Sequence, residues 1–222
     1  MDLIICILIL IIPGIAQIFI SINYNKYKGI LNNKKISGQE TARKLLDSNN
    51  LENIYVVATN GNLTDHYDSS RKVIRLSKDI YNNESIASIA VAAHECGHAI
   101  QDKDGYFFMR LRSFIYPIVK IGTMTSYVII FLGAIFEAIN IIYLGIALVG
   151  LGLLFQLVTL PVEFDASKRA LEEIKRLDLV SDDELLGVKR MLTSAAFTYV
   201  AGVLSSILEL LRLILIFSDR KD

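Results

Sequence analysis

The chain has no net charge: 23 Lys and Arg stand against 23 Asp and Glu. A balanced chain carries no electrostatic footprint for nucleic acid, and a nucleic-acid partner is set aside. Cysteine is scarce. Cys6 lies in an apolar run and Cys96 stands far from it, so no disulfide framework holds the fold and a reducing compartment is compatible. Histidine is scarcer than the length suggests: His66, His94 and His98 are the whole supply. What the chain has in excess is apolar residues, 53% of 222, against about 45–50% in soluble domains. The excess is modest on average because it is gathered into a few long runs.

The first run, 3–22, is nearly continuous Ile and Leu, broken by Pro13, Gly14 and Gln17. About 20 apolar residues suffice to cross a hydrocarbon core of about 30 Å. A cleaved signal peptide would want a basic start, a shorter apolar core and a small-x-small cleavage site. Here the chain starts Met1-Asp2 and the cations Lys26 and Lys28 come afterwards, which reads as an uncleaved anchor. Runs at 117–136 and 141–160 are separated only by Glu137-Ala138-Ile139-Asn140 and predict a tight transmembrane hairpin. Gly133, Gly145, Gly150 and Gly152 suit close helix contact in lipid. A fourth run, 195–217, contains Glu209 and Arg212. Each alone costs about 2.5–3.5 kcal/mol at mid-membrane, but at i, i+3 they can pair on one face.

The polar stretches lie between these runs. Ser37-Gly38-Gln39-Glu40 is a capping-box pattern opening a helix to about residue 49. Residues 54–59 and 72–76 read as short strands, with a turn signal at Asn60-Gly61-Asn62. Residues 85–101 read as one Ala-rich helix starting at Ser85. Pro161 is well placed to open a further polar helix, and Ser181-Asp182-Asp183-Glu184 to start another.

The helix at 85–101 carries the chemistry. His94-Glu95-Cys96-Gly97-His98 puts two histidines four residues apart, hence on one helical face. Both imidazoles can then address one metal ion, with Glu95 placed to serve an adjacent water as general base. This is the H-E-x-x-H arrangement of zinc peptidases. Cys96 sits about 200° around the helix from His94, so it points away from the metal and reads as a packing residue.

Sidedness follows from counting crossings. One span precedes the motif segment and a hairpin returns the chain, so 23–112 and 163–193 share a side. Both are rich in Lys and Arg, and the hairpin tip has none. The positive-inside rule puts that side in the cytoplasm. The expected organisation is an anchor at 1–22, a cytoplasmic peptidase domain at 23–113, a transmembrane hairpin at 114–160, cytoplasmic helices at 161–194, a last span at 195–217 and a tail at 218–222.

Several stretches together resemble the YugP-type family of bacterial membrane zinc metallopeptidases. They are Leu63-Thr64-Asp65-His66-Tyr67-Asp68, residues 92–101 around the motif, Leu111-Arg112-Ser113, residues 155–170, and Thr198-Tyr199-Val200-Ala201. The resemblance covers nearly the whole chain. It implies a neutral zinc peptidase of the bacterial cell membrane, with one Zn2+ per chain. A looser likeness is to HtpX-like peptidases, which also place a transmembrane hairpin between the histidines and a helical glutamate ligand. Their pattern E-x-x-A-D becomes Glu163-Phe164-Asp165-Ala166-Ser167 here, with serine where the aspartate falls. That opens the question of whether Asp165 takes over its supporting role. The fold class expected is a mainly α, multi-pass membrane protein, with about four transmembrane helices and a small α+β domain that is gluzincin-like by analogy.

Two residues compete for third zinc ligand. His66 sits in a polar stretch between the two predicted strands. Glu163 follows the motif, on its side of the membrane, and Ala166 and Ala170 give its helix a small-residue face that can approach the motif helix. Two histidines and a carboxylate form a catalytic zinc set with an open position, and Glu163 is preferred, with His66 second. His66, Tyr67 and Tyr199 are candidates for stabilising the oxyanion of the transition state. The reaction expected is peptide-bond hydrolysis by zinc-activated water, on polypeptide substrates, with soluble and membrane proteins both left open, which could add as a strand to an edge of the small sheet. Two other functions compete. A scaffold stapled by zinc would want four protein ligands, and a transporter would rest on Glu209 and Arg212 alone.

Overall fold

The computed structural model of the chain describes residues 2–218, so the tail lies outside the described residues from 219 on. In order the elements are α1 (Asp2–Lys28), α2 (Gly38–Asp47), β1 (Tyr55–Thr59), β2 (His66–Asp68), β3 (Val73–Ser77), α3 (Lys78–Asn82), α4 (Ile86–Asp104), α5 (Phe107–Ile135), α6 (Ile139–Arg176) and α7 (Asp182–Ser218). The architecture is mostly helical with one small sheet. Four helices, Leu3–Lys28, Phe107–Ile135, Ile139–Arg176 and Asp182–Ser218, are long and apolar enough to cross a membrane.

The chain forms two compact units. One comprises the described residues of Met1–Gln17, Phe107–Pro161 and Thr198–Asp222; the other comprises Ile18–Tyr106 and Val162–Phe197.

The first unit is built from the apolar runs. α5 ends at Ile135 and α6 starts at Ile139. In the turn between them Glu137 adopts φ 55°, and Ala138 donates to the Gly133 carbonyl at 2.8 Å. The hairpin closes so tightly that a Cβ on Gly133 would stand 2.8 Å from the Ile142 backbone nitrogen, and one on Gly145 2.5 Å from Ile130 Cγ1. A Cβ on Gly152 would lie 3.1 Å from Thr123 Cγ2, but one on Gly150 would meet open space, so the close-contact expectation is corrected at that one position. Phe114, Ile121 and Met124 are exposed, as side chains meant for lipid are. The expected pair forms: Arg212 donates to Glu209 at 3.0 Å, and the Tyr127 hydroxyl donates to the same carboxylate at 2.8 Å. Charges among apolar helices persist when partnered in this way.

Two helix boundaries are corrected. Pro161 lies inside α6 and opens no new helix, and α7 runs unbroken from Asp182 into the last apolar run. Proline removes one backbone donor. The helix extends for many residues on both sides, and a single missing bond does not stop it. The Ser181 signal does start α7: Glu184 accepts from the Ser181 N–H at 2.9 Å.

The second unit packs α2, α3, α4 and parts of α1, α6 and α7 with the sheet. The capping box at Ser37 forms in full, with Glu40 and Ser37 exchanging bonds. The strand order is β1-β3-β2. β3 pairs parallel with β1, Val73 facing Tyr55, and antiparallel with β2, Val73 facing Asp68. The sequence pattern predicts two of these strands. β2, His-Tyr-Asp, has no apolar alternation of its own and exists because β3 offers it a ladder, a case of tertiary context overriding propensity. Leu45, Leu46, Ile74, Leu76, Ile80 and Ile89 are fully buried in the core, joined by Ile174 of α6 and Val188 of α7.

Candidate metal centre

α4 is the buried centre of this unit. Ser85 caps its first turn by accepting from the Ser88 N–H at 3.1 Å. Gly105 ends it in the left-handed region, at φ 65°, a conformation that glycine adopts without a Cβ penalty. The helix runs three residues past the predicted end at 101. Its alanines and Gly97 give it a thin profile, and α6 comes close enough that a Cβ on Gly97 would lie 2.4 Å from the Ala166 carbonyl oxygen.

That approach brings Glu163 to the histidines. His94 and His98 stack edge to face, with ring centroids 4.8 Å apart. Glu163 Oε2 is 3.3 Å from His94 Nε2 and 3.5 Å from His98 Nε2. One ligand atom from each of the three residues lies within 4.8 Å of the others, an arrangement that could hold a metal ion. Zinc takes nitrogen and oxygen ligands at about 2.0–2.2 Å in tetrahedral sites, which sets neighbouring ligand atoms about 3.3–3.6 Å apart. The two Glu163 distances fit that spacing, and three ligands leave one position open.

The electrostatics is that of a site short of positive charge. Glu163 is 2% exposed and Glu95 7%. Burial raises Glu95 above the ordinary carboxylate range, against the opposing pull of His94 and His98. For His98, burial opposes the charged form, but the hydrogen bond and charge of Glu163 prevail and raise its pKa above the usual imidazole value. A divalent cation would answer the two buried carboxylates directly.

The outer contacts answer the question left by Ser167. His94 Nδ1 meets the Ser167 hydroxyl at 3.2 Å, so the serine itself takes the place where an aspartate stands in the looser pattern. Asp165 reaches the histidines through an intermediary, Gln101. The Gln101 amide nitrogen donates to Asp165 Oδ2 at 2.9 Å and to the Val162 carbonyl at 2.7 Å, and its oxygen lies 3.0 Å from His98 Nδ1. Arg169 Nε holds the same Asp165 oxygen at 2.6 Å. The sequence pattern marks Ser167 only as a departure and gives Gln101 no role. Their signal was spacing: Gln101 is three residues after His98 and Ser167 four after Glu163, each on its ligand's helical face.

The remaining candidates sit elsewhere. His66 lies exposed on β2, its Nδ1 2.8 Å from the Thr64 carbonyl, and is not one of the three grouped residues. The Tyr67 hydroxyl donates to Asp102 at 2.8 Å; burial and that bond raise its pKa. Tyr199 belongs to the other compact unit. Cys96 is buried with its Sγ directed to the Ala42 carbonyl at 3.6 Å, a packing role as expected, and burial raises its thiol pKa.

Comparison with known proteins agrees with this geometry. The chain is 41% identical over 207 residues to "Putative membrane protease YugP" of Bacillus subtilis (strain 168), covering 93% of this chain and 92% of that one. No solved structure matches the chain. The family described as "Putative neutral zinc metallopeptidase" matches residues 2–218, and the chain belongs to that zinc metallopeptidase family.

Proposed function

We propose that the protein is a membrane-embedded zinc endopeptidase in which His94, His98 and Glu163 hold one Zn2+ per chain and Glu95 is the general base. The observation that carries this is the meeting of two imidazoles and one carboxylate beside a second buried carboxylate that makes no hydrogen bond or ion pair among the described residues. Zinc, when bound, supplies Lewis-acid polarisation of the scissile carbonyl and makes a neighbouring water acidic near neutral pH. Glu95 accepts the proton of the attacking water and returns it to the leaving amine. A carboxylate raised by burial is suited to both halves of that transfer. Ser167 and Gln101 orient the rings from behind. Within this unit His66 remains a candidate for the oxyanion; Tyr67 would first have to release Asp102.

The same features weigh against a zinc-stapled scaffold. Such a site wants four protein ligands, and Cys96, the nearest further thiol in sequence, is turned to Ala42. The substrate is a polypeptide, presented as a strand along an edge of the small sheet. The peptidase domain, on this reading, lies at 23–113 completed by 161–194. The Lys and Arg balance of those segments supports the cytoplasmic face of a bacterial cell membrane as its side. The decisive experiment is proteolysis of an unfolded polypeptide by the purified protein, with and without a chelator. Activity that needs added zinc supports the reading; chelator-insensitive activity, or none under any metal, defeats it.

A further inference from the structure

Gln101 is wholly buried, and its two ends face different chemistry. The amide nitrogen has two hydrogens. One goes to the Val162 carbonyl at 2.7 Å and the other to Asp165 Oδ2 at 2.9 Å. A carbonyl is an acceptor only, and so is a carboxylate held by a guanidinium, as Asp165 is by Arg169. The amide therefore has one orientation. Turned over, it would set its oxygen against two acceptors. In the permitted orientation its oxygen lies 3.0 Å from His98 Nδ1, and an oxygen accepts only if that nitrogen carries the proton. The Nε2 lone pair of His98 is then left to face Glu163, whose Oε2 is 3.5 Å away. His94 has no such constraint, because a hydroxyl can donate or accept.

The two acceptors also matter by their place. Val162 and Asp165 flank Glu163 on α6. One side chain on α4 thus pins the ring of one candidate ligand and the helical turn that carries another.

Resting on the zinc reading above, we propose that Gln101 is the positioning residue of the metal centre: it locks His98 in the Nδ1–H tautomer and fixes the α6 turn bearing Glu163 against it.

The test uses the full chain in detergent, with Gln101→Met, which keeps the volume and loses every hydrogen bond, and Gln101→Glu, which keeps an acceptor for His98 and loses the donors. Zinc affinity is read by chelator competition. Supporting partners of ligating histidines typically contribute about 10–100-fold in affinity, and a loss of that size is expected for Gln101→Met. The second reading needs no metal. Nitrogen-15 spectra of the histidine rings, taken on metal-free protein at alkaline pH, report which nitrogen carries the proton, and with three histidines His66→Ala and His94→Ala, each compared with the full set, leave the His98 signals assigned. The His98 proton is expected on Nδ1 in the wild type and in Gln101→Glu, and on Nε2 toward Glu163 in Gln101→Met. A Gln101→Met protein that melts lower yet keeps wild-type zinc affinity and the Nδ1 proton overturns the proposal and leaves Gln101 a packing residue. A wild-type chain that takes up no zinc in the same titration overturns both this proposal and the peptidase reading.

Discussion

The Cα of Gly97 faces the carbonyl of Ala166 across the α4–α6 contact, with no room for a methyl group between them: a Cβ there would lie 2.4 Å from the oxygen and 3.0 Å from the carbonyl carbon. Both atoms are backbone, so no rotamer change can relieve the clash. Gly97→Ala must push the helices apart, and overpacking of this kind costs about 1–3 kcal/mol. Because the same contact sets Glu163 against His94 and His98, zinc affinity should fall along with stability. Melting curves of metal-free protein and a zinc titration check both. Unchanged affinity in this variant would show that the ligand geometry does not depend on the helix spacing.

Glu163→Ala should lose zinc and activity, since it removes the oxygen that both imidazoles face. His66→Ala should keep zinc even if turnover falls, because His66 is exposed on β2 and directed to Thr64. Metal content of the purified variants decides. The reverse pattern would transfer the third ligand to His66.

Glu95→Gln separates the base from the ligands. It should abolish proteolysis while metal analysis still finds close to one zinc per chain, because the amide keeps the shape and cannot take the proton. Zinc loss in this variant would make Glu95 a ligand.

Much of this could be read from residues alone, and the gaps have physical causes. The H-E-x-x-H spacing and the Ser37 and Ser85 caps are local patterns with fixed geometry, and each is where its pattern says. β2 could not be read, since three polar residues form a strand only when β3 is beside them. The run of α6 through Pro161 was not legible because proline favours a first turn, and its cost inside a helix is outweighed here by the helix on both sides of it. The spacing of Gln101 from His98 was legible, but its hold on α6 was not, because two of its three partners lie more than 60 residues away in sequence.

The membrane side is open to a chemical test. In a background lacking Cys6 and Cys96, cysteines at Lys35 and Ser181 should be protected from a membrane-impermeant thiol reagent in intact cells, and one at Glu137 labelled. Labelling at Lys35 and Ser181 with protection at Glu137 would put the metal centre on the outer face.

The Ser37 cap carries a modest pH dependence. Hydrogen bonds from Ser37 lower the Glu40 pKa in the folded state. A depressed carboxylate stabilises above its unfolded value of about 4.3, and that contribution is lost as pH falls through the folded value. Glu40→Gln should therefore melt below the wild type at neutral pH, with the gap closing in acid. A gap that persists well below pH 4 would mean that the carboxylate charge is not what the cap uses.

The two histidines are unequally restrained. At their Nδ1 atoms, His98 meets an amide with one permitted orientation at 3.0 Å and His94 meets the Ser167 hydroxyl, which can turn to donate or accept, at 3.2 Å. The centre therefore has a stiff side and a compliant side. Catalytic zinc sites change coordination number as substrate enters and leaves; on the zinc reading proposed above, that movement would fall to the His94 side. Of the two rings, His98 is the one whose Nδ1 partner also holds the Val162 carbonyl and Asp165 in the turn that carries Glu163.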